Sequence, residues 1–110
     1  MNATDLMDCY LVKRDAAGDL QAACSECLRT DLPEGNVLIQ VQWSSLNYKD
    51  ALAASGHPGV IGCLPHVPGI DAAGVVLESD DPRWSPGDEV VVSGYELGAG
   101  QWGGWAQLIR

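Results

Sequence analysis

The chain reads Ser44-Ser45-Leu46-Asn47-Tyr48-Lys49-Asp50-Ala51-Leu52 and, after a loop, Pro68-Gly69-Ile70-Asp71-Ala72-Ala73-Gly74-Val75-Val76. These two segments decide the fold that we predict. In the first, Asn47 stands in a good N-cap position, Asp50 follows one turn later, and Ser55-Gly56 ends the pattern, which predicts a helix of about two turns. The stretch from His57 to Pro68 is interrupted by proline and glycine and is predicted to be a loop.

Most of the remaining sequence is predicted to form strands, because 13 glycines and 6 prolines separate short runs of Val, Ile and Leu. The alternation from Val37 to Trp43 predicts a strand with Val37, Ile39, Val41 and Trp43 on one face. A hairpin is predicted from Cys9–Val12 and Leu20–Leu28, around a turn at Ala16–Asp19. Three further strands are predicted at Ala72–Leu77, at Glu89–Ser93, which should be buried, and at Trp105–Ile109.

Four segments carry a resemblance to a known family: the two quoted above, Pro86-Gly87-Asp88-Glu89-Val90 and Trp102-Gly103-Gly104. Together they resemble the N-terminal catalytic domain of the medium-chain dehydrogenase/reductases, on the zinc-free quinone-oxidoreductase side and nearest to the acryloyl-CoA reductase branch. The resemblance runs from about Asn36 to Arg110. It implies a mainly β fold, a GroES-like, partly open β-barrel with short helices. It also implies that residues 1–110 form only this domain, truncated before the nucleotide-binding Rossmann domain, so the fragment alone is expected to be inactive.

The activity that the resemblance implies is NADPH-dependent reduction of an activated carbon–carbon double bond. The leading substrate is acryloyl-CoA, with related enoyl thioesters and quinones as alternatives, and NADPH would be bound mainly by the missing domain. Hydride would add at the β-carbon, and a hydrogen-bond donor would stabilise the enolate before protonation at the α-carbon. The candidate donors are the Asn47 amide, Lys49 and the Tyr48 hydroxyl, and the sequence does not choose among them.

The resemblance also implies the site residues. In the family, the tyrosine matching Tyr48 touches the nicotinamide cofactor, and the residues matching Asn47 and Asp50 approach the reacting carbon atoms. Tyr48 is therefore predicted to bind the cofactor, and Asn47 and Asp50 to be catalytic. The structural alternative is that Asn47 is only an N-cap, with the Asp50 carboxylate at the positive end of the helix dipole.

The sequence predicts no metal site. Zinc-dependent members of the family carry Cys-His-Thr-Asp where this chain has residues 47–50, and Gly-His-Glu where it has residues 69–71. Catalytic zinc needs three protein ligands, and neither Asn47 nor Ile70 supplies a soft or imidazole donor. Elemental analysis would check this. Asp71 is then interpreted as a turn residue before the following strand, with a supporting polar role as the alternative.

Three other patterns are given structural explanations. Cys24 and Cys27 form a C-x-x-C, but residues three apart on a strand point to opposite faces, so the two thiols should not converge on a metal. His57 and His66 are predicted to be exposed loop histidines. Residues Gly98–Gly103 match G-x-G-x-x-G by letters alone, because a strand and not a helix is predicted to follow.

Composition argues against several classes of partner. A formal net charge of −9 with only 6 basic residues argues against nucleic acid. The start, Met1–Asp5, lacks the features of a signal peptide, and no apolar run approaches the roughly 18 residues that cross a membrane. A cytoplasmic location with reduced cysteines is expected. The expected partners are a small-molecule substrate and the missing Rossmann domain, and homo-oligomerisation is left open.

A second hypothesis comes from a different class: a stand-alone GroES-like binding or scaffold module without catalysis. The gene after Arg110 distinguishes the two. A reading frame with a glycine fingerprint after a strand favours the enzyme, whereas a stop codon favours the module.

Overall fold

The computed structural model describes residues 6–94 and 96–110, and in this part of the chain six strands and one short α-helix form the regular structure. The elements are β1 (Leu6–Arg14), β2 (Leu20–Leu28), β3 (Val37–Ser44), α1 (Tyr48–Ala54), β4 (Asp71–Ser79), β5 (Glu89–Ser93) and β6 (Leu108–Ile109), with a 3₁₀ turn at Arg29–Asp31. The predicted mainly β fold with short helices is confirmed. Across the described residues, no helix has the length and apolarity needed to cross a membrane.

Two antiparallel sheets build the fold. The first is the predicted hairpin of β1 and β2; the two strands pair along their whole length, so β1 extends beyond the predicted Cys9–Val12 at both ends. The second has the strand order β5-β4-β3-β6. Isolated bridges from Cys9 to Ala106 and from Val12 to His66 join the hairpin to the segments that flank the second sheet. The result is two open sheets that these bridges connect.

The segment that leads into β6 is attached to the hairpin before it joins the second sheet. The Tyr10 N–H donates to the Trp105 carbonyl at 2.8 Å, and the Gln107 N–H donates to the Asp8 carbonyl at 3.0 Å. A regular strand therefore begins only at β6, which has two residues. The strand predicted over Trp105–Ile109 is correspondingly shorter than expected.

An apolar core lies against the inner face of the four-stranded sheet. Its buried members are Ile39, Ala72, Val76, Leu97 and Ile109, with Val37 and Val41 partly buried beside them. Trp43 was predicted to share this face, and that prediction is wrong, since its side chain is 75% exposed. The strand register shifts between Val41 and Trp43, which places Trp43 opposite Ala73. A β-bulge of this kind inserts one residue and reverses the alternation beyond it.

β5 is an edge strand, and the prediction that it is buried is wrong. Val90 and Val92 pack against the core on one face. Val91, between them, points to the other face and is 79% exposed. An apolar run at a sheet edge can thus be covered on one face only.

A second core lies between the hairpin and the chain that follows α1. Its buried members are Met7, Cys9, Cys27 and Val67. The Sγ atoms of Cys9 and Cys27 lie 2.8 Å apart and share a hydrogen bond. Burial, followed by this hydrogen bond, raises the pKa of Cys9 to about 12, so Cys9 stays a thiol at neutral pH. Cys24 is exposed whereas Cys27 is buried, which confirms that the C-x-x-C residues point to opposite faces.

The glycine-rich loop, residues 98–104, crosses the segment before β4, residues 67–70, in direct backbone contact. The N–H groups of Gly103 and Gly104 donate to the carbonyls of Val67 and Gly69, at 2.7 and 2.9 Å. A Cβ atom on Gly103 would overlap the Gly69 carbonyl oxygen, so only glycine permits this approach. The element that follows the loop is β6, a strand, as predicted.

Candidate active site

The N-terminus of α1 brings together the residues that the sequence singled out. Asn47 precedes the helix with extended backbone angles (φ −125°, ψ 162°), which are typical of an N-cap. Its backbone N–H donates to Oδ2 of Asp50 at 2.9 Å. The side chain of the third helical residue thus accepts the backbone N–H of the residue before the helix, as in a capping box.

Asp50 is completely buried, and both of its carboxylate oxygens accept hydrogen bonds. Oδ1 accepts from the backbone N–H groups of Gly69 and Ile70, at 3.2 and 2.9 Å. Oδ2 accepts from Asn47. The carboxylate therefore ties the start of α1 to the segment that enters β4, and it lies behind the exposed surface of the site.

The side-chain amide of Asn47 is held by three acceptors. Nδ2 lies 2.9 Å from Oγ of Ser45, 3.2 Å from Oδ2 of Asp71 and 3.4 Å from Oδ2 of Asp50. An amide nitrogen carries only two hydrogens, so these contacts leave it no free donor. The Asn47 side chain is consequently fixed in one orientation.

Asp71 is the centre of a hydrogen-bonded group and not a turn residue, so that interpretation is corrected. It is the first residue of β4, where strand pairing places it opposite Ser93. Its Oδ1 accepts from the Ser93 hydroxyl at 2.9 Å, and its Oδ2 accepts from the Ser45 hydroxyl at 3.1 Å and from Asn47. Sequence reasoning missed Ser45 and Ser93, and only the strand register would have indicated Ser93.

Tyr48 presents its ring to solvent beside these polar groups. Its side chain is 80% exposed, and Lys49 is exposed as well. Leu46 and Trp43 are exposed to a similar extent, 78% and 75%. Three large apolar or aromatic side chains thus lie uncovered on the residues around Asn47.

The two histidines differ in environment. His57 is exposed, as predicted, but His66 is only 3% exposed, and the prediction for it is wrong. Its Nε2 lies 2.8 Å from the carbonyl oxygen of Gly98, which can only accept, so Nε2 carries the proton. Burial lowers the pKa of His66, and the bond to Gly98 acts in the opposite sense. His66 therefore anchors the glycine-rich loop and lies apart from the α1 site.

In the described ranges 6–94 and 96–110, no group of three or more His, Cys, Asp or Glu side chains could hold a metal ion. Asn47 and Ile70 stand at the positions where the resemblance implied replaced zinc ligands; the amide nitrogen of Asn47 is occupied, and Ile70 has no donor side chain. The metal-free site stays a prediction that elemental analysis can check.

The sequence matches known proteins over most of its length. Residues 33–110 match the family described as the alcohol dehydrogenase GroES-like domain. The chain is 45% identical over 95 residues to the acrylyl-CoA reductase AcuI of Ruegeria pomeroyi, covering 86% of this chain and 29% of that protein. It is 42% identical over 91 residues to a Bacillus subtilis protein named "Putative quinone oxidoreductase YhfP", covering 83% of this chain and 28% of that protein.

Solved structures agree with the sequence matches. The yhdH oxidoreductase from Salmonella enterica in complex with NADP superimposes with a TM-score of 0.86 and 41% identity, covering 94% of this chain and 32% of that chain. The chain therefore spans less than a third of the length of these relatives.

Proposed function

Since the chain belongs to the alcohol dehydrogenase GroES-like domain family, we propose that it is the N-terminal catalytic domain of a zinc-independent, NADPH-dependent reductase. The reaction is reduction of an activated carbon–carbon double bond in acryloyl-CoA, in a related enoyl thioester or in a quinone. Support comes from the 45% identity to an acrylyl-CoA reductase and from the likeness to an oxidoreductase in complex with NADP. Because the chain spans 29% of that reductase, a separate domain binds the nucleotide in this proposal.

One observation carries the proposal: the exposed residue Tyr48 directly follows Asn47, whose side chain is held in place by hydrogen bonds. The ring is 80% exposed and offers its face to a nicotinamide. The side chain of Asn47, the preceding residue, is held by Ser45 and Asp71, and Asp71 is itself held by Ser93. Groups fixed in this way before the substrate arrives lose little entropy on binding. NADPH supplies the hydride when it is bound.

The residues of this chain would then stabilise charge on the substrate. When the β-carbon accepts hydride, negative charge develops on the thioester oxygen, and a positioned N–H or O–H lowers its energy. Asn47 has no free amide hydrogen, because Ser45, Asp50 and Asp71 accept both. We therefore assign this role to the hydroxyl of Tyr48 or the ammonium of Lys49. Protonation of the α-carbon completes the reduction.

Asp50 is a positioning residue in this proposal. Its completely buried carboxylate touches Asn47 and the backbone of Gly69 and Ile70, which orients the Asn47 side chain and fixes the start of α1. Asn47 in turn lines the site. The catalytic contribution of Asp50 is thus made through Asn47.

Substitution of Tyr48 tests the proposal in an enzyme that carries its nucleotide-binding domain. Tyr48→Ala should lower kcat/KM by about tenfold or more, which corresponds to about 1.4 kcal/mol in the transition state, with the melting temperature unchanged. Tyr48→Phe separates the ring from the hydroxyl, since it removes only the latter. Trp84→Ala, which removes another exposed aromatic side chain, is the matched control. Unchanged kinetics for Tyr48→Ala would refute a cofactor-binding role.

A further inference from the structure

A cleft of about 640 Å³ lies between the outer end of the hairpin and the loop after α1. Its walls include Lys13 and Arg14 of β1 on one side and Ile61, Cys63 and Leu64 on the other. The backbone bonds between Val12 and His66, both 2.8 Å, hold these two walls together. The cleft is separate from the polar side chains around Asn47, none of which lines it.

The cleft concentrates positive charge in an acidic protein. Lys13 and Arg14 are two of the 6 basic residues in a chain of net charge −9. Among the described residues that line the cleft, none is acidic. Arg14 donates to the Gly18 carbonyl at 3.0 Å, and Lys13 forms no ion pair with any residue in the described ranges. Two basic residues and several apolar residues lining one cleft fit a ligand with phosphates and an apolar ring.

The cleft and the candidate active site lie at opposite ends of α1. Gly56, which lines it, follows the last turn of α1, whereas Tyr48 begins that helix. Seven residues of α-helix span about 10 Å. A ligand that reached both places would need a long flexible arm between its reacting group and its phosphates.

We propose that this cleft binds the phosphorylated adenosine end of a coenzyme A thioester, with Lys13 and Arg14 on the phosphates. The inference rests on the proposed function, since a coenzyme A thioester has the required form: a reactive acyl group, a long pantetheine arm, and an adenosine that carries phosphates. The adenine ring packs on Ile61 and Leu64, and the thioester lies at the N-terminus of α1.

The thiols of the chain provide the measurement. Cys63 lines the cleft and is exposed, whereas Cys24 is exposed on the hairpin outside it. Adenosine 3′,5′-bisphosphate, the nucleotide end of coenzyme A, should slow alkylation of Cys63 by iodoacetamide by about threefold or more and leave Cys24 unchanged. Peptide mass spectrometry gives both rates in one sample of the 110-residue chain. Equal rates for Cys63 with and without the nucleotide would overturn the proposal.

Variants assign the protection to the two cations. Lys13→Gln and Arg14→Gln should each raise the half-protecting concentration by about tenfold. Arg83→Gln removes the same charge on the turn before β5 and should leave the concentration unchanged. An equal rise in all three variants would show a general charge effect and refute the site. A Lys13→Gln protein that melts earlier yet keeps its protection would also refute the site, because Lys13 would then serve only the stability of the fold.

Other ligands separate the remaining sources of phosphate. Adenosine 2′,5′-bisphosphate represents NADPH, and inorganic phosphate represents a simple anion. Protection by either at the same concentration would overturn the assignment to coenzyme A. The result is also independent of the reductase activity. If the nucleotide protects Cys63 but the longer enzyme does not reduce acryloyl-CoA, the cleft proposal stands and the proposed reaction is refuted. If the enzyme reduces acryloyl-CoA but the nucleotide does not protect Cys63, the reaction stands and the cleft proposal is refuted.

Discussion

Asp50 is the residue on which the geometry of the candidate site depends most. A completely buried carboxylate is costly unless hydrogen bonds compensate for its lost hydration. Here the compensation comes from the backbone N–H groups of Asn47, Gly69 and Ile70 and from the N-terminus of α1. One side chain thus joins a helix start to a strand start, and the orientation of Asn47 follows from it.

The first test at this scale is Asp50→Asn. The new amide must point its NH₂ either at the N–H groups of Gly69 and Ile70 or at that of Asn47, so at least one backbone donor loses its acceptor. We expect the free energy of unfolding to fall by about 2 to 3 kcal/mol at neutral pH, measured by urea denaturation. Asp80→Asn, which changes an exposed carboxylate, should alter it by less than about 0.5 kcal/mol. Equal effects of the two substitutions would contradict the structural role of Asp50.

The sequence indicated the local half of the site and missed the distant half. The resemblance singled out Asn47 and Asp50, and their contact at the start of α1 was predicted because a capping pattern spans only a few residues. Asp71 was misread because its partner, Ser93, is brought to it by strand pairing. The Cys9–Cys27 contact was missed for the same reason, since it depends on how β1 and β2 pair.

At the scale of elements, loops that backbone hydrogen bonds hold in place support the candidate site. The glycine-rich loop packs on Val67 and Gly69, and the Gly69 N–H in turn binds Asp50. Strand bounds were predicted well where turns are strong, as for β2 and β5. The face on which Trp43 lies was predicted wrongly, because a bulge depends on the partner strand and leaves no local signal in the sequence.

The second test concerns His66, which anchors the glycine-rich loop through Gly98. Burial lowers its folded pKa below the ordinary 6.5, so the unfolded chain takes up the proton first as the pH falls. The stability is therefore fully present above about pH 7 and is lost as the pH falls through 6.5 toward the folded pKa. His66→Gln keeps a donor for Gly98 but does not titrate. Its free energy of unfolding should vary less between about pH 7 and pH 5 than that of the parent chain.

The control for this test is His57→Gln, since His57 is exposed. That variant should keep the pH dependence of the parent in urea denaturation at each pH. If His66→Gln kept the same slope as His57→Gln, protonation of His66 would not be coupled to folding.

The whole molecule leaves a row of apolar side chains exposed across its larger sheet. Strand pairing aligns Trp43, Ala73 and Val91, and the first and last of these are 75% and 79% exposed. Val91 lies on an edge strand. Exposed apolar edges pair with other chains unless a charge or another element covers them.

The 110-residue chain should therefore self-associate in a concentration-dependent way in sedimentation experiments. Val91→Lys places a charge on the edge of β5 and should shift the chain toward monomer. Ser85→Lys adds the same charge at an exposed position before β5 and should not. Association that persists unchanged in Val91→Lys would show that another surface is responsible.

The last prediction concerns cofactor binding by the 110-residue chain, which should bind NADPH no more tightly than about 1 mM. Dinucleotide sites place the pyrophosphate on a glycine turn at a helix N-terminus. In this chain the N–H groups of Gly98, Ala99 and Gln101 donate to carbonyls of residues 96–101, and that of Gly103 donates to Val67, so these four groups are not available to phosphate. The loop also leads into β6, a strand, and not into a helix. The net charge of −9 adds a general repulsion of a phosphorylated ligand. Isothermal titration with NADPH measures the affinity, and Gly98→Ala, which is strained at a φ of 73°, serves as a check on the loop. Micromolar binding that Gly98→Ala abolishes would show that the glycine-rich loop holds the cofactor and that no second domain is needed for it.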